Sequence, residues 1–171
     1  MSQLGSDAGS GPPPLRPFGL VLHRNGVWSH EGQPILNRRL RERFDRAVVY
    51  LPEEQSYIVQ VGRFRGLIEV EETGFFVRAV DLVRGELALS DGSREPLEVS
   101  TLSLSPLDGA LIARVKRSLN NGTGLPARFF HGPQAEFLSA VDFSSTGVVG
   151  VPLAGQWVEL PLGLAAELAD D

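Results

Sequence analysis

Two histidines stand in similar surroundings. His30 falls within Trp28-Ser29-His30-Glu31-Gly32-Gln33-Pro34 and His131 within Phe129-Phe130-His131-Gly132-Pro133-Gln134, each just ahead of a helical pattern. Imidazole ligates metals and exchanges protons near neutral pH. With Glu31, His30 and His131 could therefore hold a metal ion or work as acid and base. The chain lacks the H-x-x-H or H-E-x-x-H spacing that sets two ligands on one helix face. A histidine before a helix also has a purely structural use, bonding a backbone group that the helix end leaves open. His23 reads as a surface residue of the first strand.

Arginines make the second constellation. Arg38, Arg39, Arg41, Arg43 and Arg46 are set against Glu42 and Asp45, a local excess of three positive charges in a chain whose net charge is -5. Such a face could hold a phosphorylated ligand, an acidic partner or the acidic end of the chain itself. The competing reading is a solvated helix face with i to i+4 ion pairs. Arg63 and Arg65 flank Phe64, and Glu69, Glu71 and Glu72 form an acidic counterpart. On a strand only Glu69 and Glu71 would share a side. The string Gly122-Thr123-Gly124-Leu125-Pro126-Ala127 fits G-x-G-x-x-A. A dinucleotide fingerprint must open a helix, however, and Pro126 in a strand-like run points to a hairpin loop. There is no Gly-x-Ser-x-Gly, Walker loop or paired-acid arrangement, and with no cysteine there is neither thiolate chemistry nor a disulfide.

The elements that position these residues follow from periodicity. Phe18 to Leu22 and Val27 to His30 flank Asn25-Gly26, a hairpin signal because both residues tolerate positive φ. Leu36, Leu40, Phe44 and Val48 then recur every four residues, with Asn37 placed to cap the helix and Pro52 beyond its end. Tyr57 to Val61 and Leu67 to Val70 read as an antiparallel pair. Further strands are expected at Phe75 to Val83, Glu86 to Ser90 and Pro96 to Val99. In the closing third, Ala110 to Lys116 and Leu125 to Phe130 read as strands. Pro133 to Val141 reads as a helix with Pro133 at its first position, and Gly147 to Val151 and Gln156 to Leu160 as a last strand pair. The expectation is an α+β fold, mainly antiparallel sheet with two helices. It would be built from two diverged strand-strand-helix-strand-strand repeats, 18–70 and 110–161, with strands between them over 75–99.

At 171 residues, 42% hydrophobic and 22% charged, the chain suits one soluble domain over 18–163. Residues 1–17, rich in Gly and Pro, read as a disordered leader, and 164–171 as a short acidic tail. No export signal or membrane-length apolar run is present. The acidic balance argues against general nucleic-acid binding. Of sixteen basic residues only Lys116 is lysine.

Asn25-Gly26-Val27-Trp28-Ser29-His30-Glu31-Gly32-Gln33-Pro34-Ile35, the helix after it and Ile68-Glu69-Val70-Glu71-Glu72 resemble the bacterial domain of unknown function 1285 family. So do Leu125-Pro126-Ala127-Arg128-Phe129 and Gly150-Val151-Pro152-Leu153-Ala154-Gly155-Gln156-Trp157. The resemblance spans about Phe18 to Gly163 and departs from the family pattern at Arg63-Phe64-Arg65 and Pro152-Leu153-Ala154. It implies a small α+β protein with repeated units, no established activity, and a suggested role in signalling or ligand sensing.

The functional expectation is a non-enzymatic cytoplasmic module with no cofactor. It would bind a small anionic ligand or a protein partner in a groove between the repeats, lined by Trp28, His30, Arg63, Arg65 and His131. Glu31, Arg39 and Arg43 complete the candidate binding set. Two alternatives stand beside it: a metal-assisted hydrolase using His30, His131 and Glu31, and a structural or homodimerising module.

Overall fold

The computed structural model describes residues 15–170. Three strands, β1 (Arg16–Leu22), β2 (Trp28–His30) and β3 (Gln33–Pro34), form an antiparallel meander. The turn between β1 and β2 is tighter in its demands than the Asn-Gly pair suggests. The Gly26 amide donates to the His23 carbonyl, and of the pair only Gly26 has positive φ, at 82°. This is an ordinary turn closed by a left-handed glycine, not the expected primed turn.

Helix α1 (Arg38–Ala47) follows, with the Asn37 side chain accepting from the Leu40 amide at 3.1 Å as expected of its cap. The four-residue apolar spacing does not mark its buried side. Leu36 precedes the helix and is 83% exposed, and Leu40 is 40% exposed. The inward stripe is Arg41, Phe44 and Asp45, with Asp45 the helix's buried residue. The helix passes directly into β4 (Val48–Leu51), where two β-branched residues favour extended backbone. A second meander of β4, β5 (Ser56–Val61) and β6 (Phe64–Val70) then joins the first through a parallel pairing of β1 with β6. The result is one sheet in the order β3-β2-β1-β6-β5-β4.

The next segment builds a second six-stranded sheet with the same connection pattern. One meander is β7 (Phe75–Asp81), β8 (Glu86–Leu89) and β9 (Arg94–Pro96). A single 3₁₀ turn over Val99–Thr101 leads to the other, β10 (Ser103–Leu104), β11 (Leu111–Val115) and β12 (Leu125–Phe129). A parallel pairing of β12 with β7 again joins the halves, in the order β10-β11-β12-β7-β8-β9. Leu111, Ala113 and Val115, and opposite them Leu125, Ala127 and Phe129, are buried while their alternate neighbours are not, the period of a strand with one face on the core.

Helix α2 (His131–Ser139) leads into a small antiparallel sheet of β13 (Asp142–Phe143), β14 (Val149–Leu153) and β15 (Gln156–Glu159). A third helix, α3 (Leu162–Ala169), ends the described chain. One continuous core of buried residues draws on both large sheets, α2, β14 and α3.

The α+β class and the dominance of antiparallel pairing agree with the sequence reading, but several particulars differ. There are three helices among the described residues, not two. The segment read as an acidic tail is mostly α3, anchored by Leu164, which is 4% exposed. Helix α2 begins two residues before Pro133, which is tolerated in a first turn because the amide it lacks would have no helical partner. Strand β1 begins at Arg16, inside the segment read as a leader, while residues 1–14 lie outside the described residues. Residues 110–161 do not reproduce 18–70, since their strands are divided between the second and third sheets. The segment whose connections match the first sheet is 75–129. No described helix is long and apolar enough to cross a membrane.

Candidate binding cleft

Residues 71–74 carry the chain from the first large sheet to the second, and the acids at their start tie the two together. Glu71 accepts from the Arg24 amide at 2.7 Å and lies 2.8 Å from His23 Nδ1, and His23 Nε2 lies 2.7 Å from Ser29 Oγ. The backbone bond from Arg24, and after it the bond to His23, hold the Glu71 carboxyl below its ordinary range. Glu72 turns the other way. It takes a 2.6 Å ion pair from Arg128 on β12 and the Ser105 hydroxyl. Arg128 also pairs with Asp108 in the loop between β10 and β11. Asp108 is held below its ordinary range, chiefly by that bond. Desolvation opposes the charge on Arg128, but the bonds to Asp108 and Glu72 outweigh it, and its pKa is raised.

Above this lattice lie two adjoining hollows of about 360 and 420 Å³, sharing Arg24, Asn25, Asp108 and Arg128. The β1–β2 turn forms one wall, with Gly26 close against the Phe130 ring: a Cβ there would stand 2.8 Å from it. Phe130 in turn stacks on Phe76 at 5.1 Å between ring centres. The first turn of α2 forms the other wall, with His131 and Gln134.

The hydrogen-bonding groups of the cleft divide by sign. Its acids are engaged from within the protein, Glu71 by Arg24 and His23 and Asp108 by Arg128, which also holds the neighbouring Glu72. Gln134 spends its carbonyl on the Leu111 amide, at 2.9 Å, and Asn25 spends its own on Val27, at 3.1 Å. What remains without a hydrogen-bond partner among the described residues is a set of donors: the amide nitrogens of Gln134 and Asn25 and the guanidinium of Arg24, whose charge lies in the field of Glu71 and Asp108. Beside them is the His131 ring, at a helix start whose cap, Phe130, supplies no side-chain bond.

Of the expected site residues, the cleft contains only His131. Trp28 is a core residue at 0% exposure and lines no groove. Its ring packs on Phe44 at 5.4 Å, and its Nε1 donates to the buried Asp45 at 2.8 Å. His30 lies in β2 opposite Leu20 and Gln33, whereas His131 is the first residue of α2, so the two are not equivalent. Neither His30 nor Glu31 lines the cleft. Among the described residues no group of three His, Asp or Glu side chains converges as a metal site. Arg39 and Arg43 are exposed on α1, and Arg63 and Arg65 lie at the β5–β6 hairpin, on a different part of the surface from the cleft residues. The string Gly122 to Ala127 runs from the β11–β12 loop into β12, as its Pro126 indicated.

The residues missed at the sequence level, Arg24, Asp108, Arg128 and Gln134, sit at a turn, a loop, a strand and a helix start with no shared spacing. Glu72 and Arg128 are 56 positions apart. Only the adjacent acids Glu71 and Glu72, placed where one sheet ends, carried a visible signal. Read as one acidic patch with Glu69, they in fact serve separate bonds.

No family model matches the sequence, and no curated protein matches it. Among solved structures, the chain is similar to a DUF1285 family protein from Silicibacter pomeroyi DSS-3, at a TM-score of 0.62 and 16% identity over 94% of this chain and 92% of that one. It is also similar to a DUF1285 family protein from Shewanella baltica OS155, at a TM-score of 0.49 and 13% identity over 71% of this chain and 91% of that one. The chain thus has the fold of a DUF1285 family protein, the family its sequence resembles.

Proposed function

We propose that the chain is a non-catalytic binding module whose cleft between the two large sheets takes a small anionic ligand bearing carboxylate or phosphate oxygens. The observation that carries this reading is the division of polar groups in the cleft. Its acids are already hydrogen-bonded within the protein, while the side chains of Arg24, Asn25 and Gln134 keep N–H donors that make no hydrogen bond among the described residues, Arg24 lying in the field of Glu71 and Asp108. An acceptor-rich ligand can satisfy those donors, whereas a cation would compete with Arg128 for carboxylates that are already paired. Placement at the junction of two sheets suits a sensing role, since a ligand there would tie the β1–β2 turn to α2. The like connection order of 16–70 and 75–129 supports a duplicated scaffold, and a cysteine-free chain suits a cytoplasmic setting.

Thermal unfolding of the full chain with inorganic phosphate, pyrophosphate, citrate and acetate, beside a cationic control of spermidine, tests it. A ligand at a hundred times its Kd contributes about 2.7 kcal/mol, which for a chain of this size is a rise of roughly 5–10 °C. Arg24→Ala and Gln134→Leu should each remove most of that rise. No anion raising the midpoint, or an equal rise in Arg24→Ala, would refute the reading.

A further inference from the structure

A second surface stands apart from the cleft. Phe64 and Val61 oppose each other across the β5–β6 ladder and so share one face, and Leu40 and Phe44 of α1 lie against it one helical turn apart. Together with Arg43 they border a hollow of about 300 Å³. Its lining is apolar apart from Arg43, and two of its members are large and solvent-facing, Leu40 at 40% and Phe64 at 47% exposure. The rim is basic. Of the five arginines on α1, Arg38 has an ion pair on the exposed face, with Glu42 at 3.2 Å. Arg39, Arg43 and Arg46 are exposed and enter no ion pair among the described residues, and Arg63 adds an exposed guanidinium next to Phe64.

This concentration of cations is built against the charge of the chain, which is -5 overall. A helix that only needed solvation would not set the like charges of Arg39 and Arg43 at i and i+4, where they repel, beside an open apolar hollow. We propose that this face docks an acidic segment of a partner protein, carrying an apolar anchor such as Leu or Phe that enters the hollow between α1 and the β5–β6 hairpin. Concavity selects this occupant over an anionic lipid surface, because a hollow receives a projecting side chain whereas a bilayer meets a convex apolar ridge. Acid residues flanking the anchor would meet Arg39, Arg43 and Arg63, which sets the approach of the partner and makes binding sensitive to salt. The segment would bind as an amphipathic helix lying in a groove does, with the anchor supplying affinity and the rim supplying selection.

The probe is a short fluorescein-labelled peptide of glutamates with Leu and Phe at helical spacing, titrated with the full chain and read by anisotropy. The expected result is saturable binding weakened roughly tenfold or more by Arg43→Glu and by Leu40→Ser. Arg24→Ala in the cleft should leave it unchanged. Circular dichroism melts confirm that the variants fold, which the exposure of both positions favours. A peptide with serine at the anchor positions should bind much more weakly. The proposal is overturned if that serine peptide binds equally well, or if Arg43→Glu and Leu40→Ser have no effect. It is equally overturned if vesicles of phosphatidylserine and phosphatidylcholine compete the peptide away through these same residues, or if sedimentation shows a self-associated chain that Leu40→Ser dissociates.

Discussion

Replacing Asp45 in two different ways isolates the bond that joins the first sheet, α1 and the second sheet. Trp28 is fully buried, and its only polar atom donates to Asp45 Oδ1 at 2.8 Å, while Asp45 Oδ2 receives Arg78 of β7 at 2.5 Å. Asp45→Ala leaves the indole N–H buried without an acceptor, a cost of about 1–3 kcal/mol. Asp45→Asn keeps an oxygen for the indole. It loses mainly the pairing with Arg78, whose side chain is 42% exposed and can turn to water, so that loss is about 0–1 kcal/mol. The alanine variant should therefore melt roughly 2–12 °C below the asparagine variant, from about 2–4 °C per kcal/mol at this size.

The pH dependence gives the same comparison a sign. Burial raises the Asp45 pKa, and the bonds from Trp28 and Arg78 only partly offset it. A raised acid contributes stability that is complete below its ordinary pKa and is lost as pH climbs through the raised value. The stability of the natural chain relative to Asp45→Asn should thus increase as pH falls through the carboxylate range. Urea unfolding from acid to neutral pH, followed by the fluorescence of the buried indole, measures both effects. Equal destabilisation by Ala and Asn, or a difference that shrinks toward acid, would refute the reasoning.

Lys116, the one lysine, lies 2.8 Å from Asp91, 3.4 Å from Glu95 and 2.8 Å from the Ser93 hydroxyl, with its ammonium over the Phe75 ring. Lys116→Met should cost about 2–4 kcal/mol in urea unfolding, because two partly buried carboxylates lose their partner. Burial pushes Asp91 up, but the bonds from Lys116 and Ser93 overcome it and hold it below the ordinary range. Its contribution is present above the ordinary carboxylate pKa and disappears as pH falls through the lowered value, so Lys116→Met should flatten the acid limb of the stability profile. Tyr57, pushed up to about 12 by burial and then by its neighbour Tyr50, should ionise late in an ultraviolet titration, with stability falling as pH rises through that value. Gly26→Ala should destabilise by about 1–3 kcal/mol in thermal melts and weaken anion binding in the cleft, since φ there is 82° and the new Cβ would press on Phe130.

Much of the fold was legible because it depends on local chemistry. Alternation in Leu111 to Val115 and Leu125 to Phe129 marked two half-buried strands, and Asn37 marked where α1 begins. The G-x-G-x-x-A string opens no helix, since Leu125, Ala127 and Phe129 alternate as the buried side of a strand. Where local signals conflicted with packing, packing prevailed. Leu36 and Leu40 look like core positions by spacing, yet the side of α1 that meets β5 is chosen by the sheet, which turns Asp45 inward to serve Trp28. The short acidic end reads as a tail until Leu164 and Leu168 are seen to cover the core.

The sequence by itself determined the α+β class, most strand positions, the capped helix, and the exclusion of thiol and P-loop chemistry, because turn residues, side-chain period and missing residue types act within a few positions of the chain. Tertiary structure alone decided which residues meet. The parallel joins of β1 with β6 and of β12 with β7 bring Arg24 to Glu71 and Glu72 to Arg128 across dozens of residues. The same joins withdraw Trp28 into the core and keep His30 out of the cleft that holds His131. Contacts at that separation depend on strand order and register, which no periodicity in the intervening chain encodes.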